Sequence, residues 1–146
     1  MIQRIDVRKN ETLYTDVLIV GGGAAGVAAA STLAKNNKKV VIIEKYGFCG
    51  GGAVAGLSGT ICGMYEASEK LTNKPKQSVF GFADNFAKVM TQKGGLSEPV
   101  KYGKTYTRVH DPLVWRETAD LFLKHENVTI IYHAIATQAL IEGKEK

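Results

Sequence analysis

The residues able to do chemistry begin with three glycines at fixed spacing: Gly21, Gly23 and Gly26 satisfy G-x-G-x-x-G, and Glu44 stands eighteen residues beyond the last of them. Bare backbone at the first two positions permits a tight turn and close approach to a pyrophosphate, and the third lets a helix pack closely on a strand. Amides and dipole at the start of that helix favour an anion. An acid at the tip of the next strand accepts hydrogen bonds from ribose hydroxyls and disfavours a 2′-phosphate, so NADP fits least among the dinucleotides. The pattern predicts a dinucleotide site. The competing reading is a structural glycine turn followed by an ordinary surface glutamate.

The elements that must position these groups are legible on either side. Asp16 opens the run Val17-Leu18-Ile19-Val20, short and ending in glycine, which reads as a buried parallel strand. Small residues from Val27 to Ala34 make a helix that stops at Asn36-Asn37, where asparagine tolerates the left-handed conformation. Val40-Val41-Ile42-Ile43 is a second strand closing on Glu44. Strand, glycine turn, helix and strand make a βαβ unit with a right-handed crossover, and the fold class is α/β with a Rossmann-like parallel sheet. Farther on, Val79, Phe82, Phe86, Val89 and Met90 recur at helical spacing up to Gly94-Gly95. Residues 95–107 read as a loop or ragged hairpin. Asp111 as N-cap with Pro112 starts a helix placing Trp115, Ala119 and Phe122 on one core face, and Val128 to Tyr132 reads as another buried strand. Ala136 to Ile141 reads as the first strand of a hairpin turning at Glu142-Gly143.

Composition bounds the partners. The 146 residues are 45% hydrophobic, enough for a packed core and one domain, with residues 1–15 a polar extension and 16–146 the domain. The net charge of +5 is spread along the chain, so no nucleic-acid partner is expected. Cys49 and Cys62 lie thirteen apart with His110, His125 and His133 scattered elsewhere, a spacing that offers neither a metal site nor a disulfide scaffold. Val17 to Ala34 are eighteen consecutive uncharged residues, but successive glycines within them argue against a membrane span. Asp6, Glu11 and Asp16 argue against a signal peptide, leaving a cytoplasmic protein as the expectation.

A second glycine cluster separates FAD from NAD. A nicotinamide-binding unit ends its fingerprint near Glu44, whereas Gly50-Gly51-Gly52 adds another loop of bare backbone able to pass a ribityl chain or the far side of the pyrophosphate. Here the stretches Asp16 to Gly26, including Gly22, then Ile42-Ile43-Glu44-Lys45 and Gly47-Phe48-Cys49-Gly50-Gly51-Gly52-Ala53, resemble the start of FAD-dependent oxidoreductases of the glutathione-reductase and fumarate-reductase type. The resemblance continues through Ala55 to Tyr65, His110-Asp111-Pro112 and residues 128–143. It implies that Gly21, Gly23, Ala24, Ala25 and Gly26 line the pyrophosphate and that Glu44 and Lys45 hold the adenosine ribose. It further implies that Gly51, Gly52 and Ala53 lie near the ribityl or flavin, and that the backbone of Ala136 touches adenine. Family members are several times longer, so the chain is expected to be a partial FAD-binding domain that stops before a β-meander and a substrate domain. An exposed sheet edge and a second chain, or self-association, are the corollary.

Other residues carry two readings. Cys49 is either redox-active or a small residue in a tight loop, and Cys62 reads as a buried small hydrophobe. His110 before a helix cap and His125 at a helix end fit those positions better than catalysis, and no catalytic role is read for His133. Thr60 and Tyr65 are either near the flavin, by the resemblance, or structural hydroxyls. The leading function is the FAD-binding portion of a flavin oxidoreductase acting on an unread small molecule, its catalytic residues unassigned. The alternatives are a non-catalytic nucleotide-binding subunit that needs a partner chain, and an NAD-dependent enzyme.

Overall fold

The computed structural model describes residues 12–142, with 57, 71 and 73 excepted. Most of the N-terminal extension and Gly143 of the expected hairpin turn lie outside the described residues. In chain order the elements are β1 (Val17–Val20), α1 (Ala24–Lys35), β2 (Val40–Ile43), α2 (Gly52–Ala55), β3 (Thr60–Ile61), α3 (Phe82–Gln92), β4 (Val100–Tyr102), β5 (Thr105–Val109), α4 (Pro112–Leu123) and β6 (Val128–Ile131).

The β-branched runs form one parallel sheet in the order β1-β2-β6, with Val17 opposite Val40 and Val40 opposite Val128. Helices α1 and α4 pack on each other, α1 packs on this sheet, and α3 packs against both helices. This is the Rossmann-like α/β arrangement. A small antiparallel sheet, β3-β5-β4, flanks it. Residues 95–107 resolve into a hairpin that extends to Val109, because Gly103 takes φ 57° and lets β4 turn directly into β5.

Local chemistry explains the helix ends. Asn37 adopts φ 57°, and the N–H groups of Asn37 and Lys38 donate to the carbonyls of Ala34 and Leu33, closing α1 with a Schellman motif. Asp111 Oδ1 accepts from the N–H groups of Leu113 and Val114 at 2.7 and 3.2 Å and caps α4, with Pro112 in its first turn. Small residues let α1 approach the sheet: Ala30 and Ala34 are fully buried, and a Cβ on Gly26 would meet the Gly21 carbonyl oxygen at 2.1 Å. Phe82, Phe86, Trp115 and Phe122 join in tilted and edge-on contacts that fill the space between α3 and α4.

Three expectations need correction. β1 is not a buried strand: it lies at an edge of the described sheet, with Leu18 and Val20 at 53% and 65% exposure on the face turned away from α1. β6 is the opposite edge and is half-buried, so the central β2 alone has the fully buried character that all three apolar runs suggested. Ala136 to Ile141 forms no strand, since no ladder partner reaches it among the described residues and its apolar side chains stay exposed. No helix among the described residues is long and apolar enough to cross a membrane.

Replacing Asp111 with Ala removes both cap bonds. It is expected to cost about 1 kcal/mol, read as a lower urea midpoint at unchanged slope.

Candidate functional site

The site is assembled around the Gly22 peptide, at the carboxyl end of β1. Glu44 leaves the tip of β2 with its N–H bonded to the Ile131 carbonyl and its own carbonyl accepting from Ala134 N–H, which directs its side chain back across the sheet end. Its buried carboxylate accepts from Gly22 N–H at 2.6 Å (Oε2) and from Tyr46 N–H at 2.8 Å (Oε1). The Gly22 carbonyl in turn accepts from Gly50 N–H at 2.8 Å. The acid and both glycine clusters are therefore tied to one residue's backbone.

Steric closeness explains the residue types. A Cβ on Gly22 would stand 2.5 Å from Cys49 Sγ, and a Cβ on Gly51 would stand 2.9 Å from Gly23 Cα. Gly51 also has φ 58°, so both its conformation and its neighbour exclude a side chain. Gly23 differs: a Cβ there would meet nothing within 4 Å. It is the N-cap of α1, offers no side-chain cap, and has no acid in the following turn. The first helical N–H groups, those of Ala24, Ala25 and Gly26, thus find no partner within the helix. With their dipole they make a cradle that fits an anionic diphosphate.

Beside this turn is an open cleft of about 400 Å³ lined by Glu44, Lys45, Tyr46, Gly51, Gly52, Ala55 and Gly56. Lys45 is exposed, with Nζ 4.8 Å from the centre of the Tyr46 ring. Of the residues assigned from sequence, the structure gathers Gly21 to Gly26 at the turn and Glu44, Lys45, Gly51 and Gly52 at the cleft. Gly50 is buried behind them, and the Ala53 carbonyl lies 3.0 Å from His110 Nε2, which donates to it. Ala136 is exposed and outside the cleft lining, two residues past the bond that fixes Ala134 to Glu44.

Sequence reasoning missed three parts of this arrangement. Tyr46, Ala55 and Gly56 line the cleft, and the sequence carries no signal for them beyond adjacency to the motifs. His110 sits just before the α4 cap as expected, but it is buried against Trp115, with ring centres 4.9 Å apart, and its Nε2 holds the Ala53 carbonyl. Glu44 serves the glycine turn directly, a role unreadable from its place at a strand tip. His125 Nδ1 accepts from Asn127 N–H, and the His133 ring packs on Gly47.

Cys49 is the small residue in a tight loop. It is fully buried, receives the Tyr132 hydroxyl at 3.8 Å, and burial pushes its thiol above the ordinary 9.0. Burial also raises Tyr132. Cys62, expected to be buried, is exposed, because β3 ends at Ile61 and the chain leaves the small sheet there; its Sγ lies 3.4 Å from Thr107 Oγ1. Among the described residues no cluster of three metal-ligating side chains forms.

A glycine turn with free helix donors at the carboxyl end of a parallel sheet is the device by which doubly wound domains bind dinucleotides. Over residues 16–146 the chain matches the model of the FAD dependent oxidoreductase family, and it belongs to that family. Membership implies FAD as the cofactor and makes this a flavin-binding oxidoreductase portion. Similar solved structures include THI4 of Thermovibrio ammonificans, at 22% identity and a TM-score of 0.48 over 81% of this chain. The chain spans 38% of that protein's length. Comparison with curated proteins gives no significant match.

Glu44→Ala leaves the buried Gly22 N–H without an acceptor and is expected to cost about 1–3 kcal/mol of stability in urea unfolding. For the thiols, Cys62 should react with iodoacetamide well before Cys49 in the native protein at neutral pH. Because Cys49 and Tyr132 hold their protons more firmly folded than unfolded, their contribution to stability is complete below pH 9.0 and is lost as pH rises past it. Thermal unfolding of the wild type should therefore fall more steeply above that pH than unfolding of Cys49→Ala.

Proposed function

We propose that residues 21–26 hold the diphosphate of FAD on the N-terminal turn of α1, and that the cleft beside Glu44 receives the adenosine side of the cofactor. The observation that carries this reading is the start of α1, where a Cβ on Gly23 would meet nothing within 4 Å and the amides of Ala24, Ala25 and Gly26 have no side-chain cap. Glu44 has two acceptor positions committed to Gly22 and Tyr46, and a carboxylate has about four, so capacity for ribose hydroxyls remains. Lys45 on the cleft rim supplies a positive charge toward the same ligand. Gly52, where a Cβ would meet nothing within 4 Å, and Ala53 border the path toward the ribityl end, and Ala136 stays in reach of adenine as an extension of the Ala134 anchor.

Bound FAD supplies hydride and electron transfer; this chain's residues bind and orient it. The activity proposed for the protein is a flavin-dependent oxidation or reduction of a small molecule. A further polypeptide segment or chain covering the apolar face of Leu18 and Val20 fits the same reading, since a doubly wound sheet buries both faces.

Gly23→Asp separates binding from folding. Aspartate is a strong N-cap residue and Gly23 has φ −67° and ψ −177°, extended backbone that any residue adopts, so the variant should fold at least as stably. Its carboxylate would occupy the amides meant for the diphosphate. FAD affinity, read from quenching of flavin fluorescence and the visible spectrum, should fall by at least about tenfold. Equal affinity in the variant would remove the diphosphate from this turn.

A further inference from the structure

A second cavity, of about 280 Å³, begins at Ala24 and has no lining residue in common with the cleft. Helix α1 supplies Val27 and Ala28, α3 supplies Phe82, Ala83 and Phe86, and Trp115 closes one side from α4. The stretch from Ile61 to Met64 completes the wall. Its side chains are hydrocarbon, aromatic or thioether apart from the Cys62 thiol, which already has Thr107 Oγ1 as neighbour.

Those walls select their occupant. A charged or strongly polar molecule would shed its hydration and find no partner. The cavity is partly open to solvent, and water against its apolar walls finds few polar neighbours. A closed apolar cavity of about 150 Å³ takes benzene, and this larger, partly open one has room for about two fused rings. The rings of Phe86 and Trp115, with centres 4.9 Å apart, and Phe82 beside them offer faces and edges to an aromatic guest.

We propose that this cavity binds an uncharged, hydrocarbon-rich small molecule of about two rings. The binding stands on the cavity alone.

Trp115 is the only tryptophan in the chain and lines this cavity, so its fluorescence reports contact with a guest there. The purified chain is titrated with iodobenzene, whose heavy atom quenches indole on contact, and with 4-iodobenzoate as a charged counterpart. Saturable quenching by iodobenzene is expected, with 4-iodobenzoate at least about tenfold weaker. Ala83→Leu and Ala28→Leu fill the cavity from different helices, and each should abolish saturation while retaining native circular dichroism. If one of the two variants fails to fold, the other still decides the matter. Purely linear quenching, equal binding of the two probes, or saturation surviving in a folded filling variant would overturn the proposal.

FAD is then titrated in the presence and absence of iodobenzene. Independent binding supports two separate sites. Displacement of iodobenzene by FAD would mean the cavity takes the cofactor's own rings, which overturns the proposal of a separate apolar guest. Absence of FAD binding with iodobenzene still saturable would sink the cofactor position and leave the apolar site standing.

Discussion

The Gly22 backbone is bonded on both sides, and the rest of the site depends on that. Its N–H is held by Glu44 and its carbonyl holds Gly50, so the end of β1, the tip of β2 and the second glycine loop cannot move independently. The carboxylate is buried, where an unmade hydrogen bond costs more than a made one gains. Fixing Gly22 sets the direction in which the chain enters α1. That direction leaves Gly23 facing open space and the first helical amides unused, so the glycine motif matters less as a flexible turn than as a rigid one with its donors exposed.

Rigidity on the other side of the site comes from the aromatic cluster. Trp115 packs on both Phe86 and His110, and His110 in turn holds the Ala53 carbonyl. The loop from Gly50 to Gly56 is thereby attached to α4 through a ring contact and a hydrogen bond, and to β1 through Gly22. A loop containing four glycines would otherwise lose a large conformational entropy on ordering. Buried Cys49 packs against Gly22 beside these attachments, and burial holds its thiol proton more firmly than in the unfolded chain.

Two spaces of different chemistry flank the N-terminal turn of α1. The cleft has a carboxylate, a lysine and bare backbone, and suits a polar, anionic cofactor. The cavity has hydrocarbon and aromatic walls and suits an uncharged guest. Small residues at Ala24 and Ala28 leave room for the cavity beside α1. A single helix end therefore separates a polar binding surface from an apolar one.

By itself the sequence determined the βαβ unit, the C-terminal end of α1, the capped start of α4 and the class of ligand, because these rest on local rules: period, capping, asparagine in the left-handed region and glycine spacing. Tertiary structure decided what those rules do not reach. Which apolar run is central and which an edge depends on the strand order, which left Leu18 and Val20 exposed and made β2 the buried strand. Ala136 to Ile141 has strand-like residues, but a strand exists only with a partner to bond. Glu44 reads as a ribose acceptor from its position, and only the approach of Gly22 across twenty-two residues shows that it also builds the turn. The tie between His110 and Ala53, fifty-seven residues apart, and the apolar cavity drawn from helices distant in sequence have no local signature, because contacts between remote residues are set by packing.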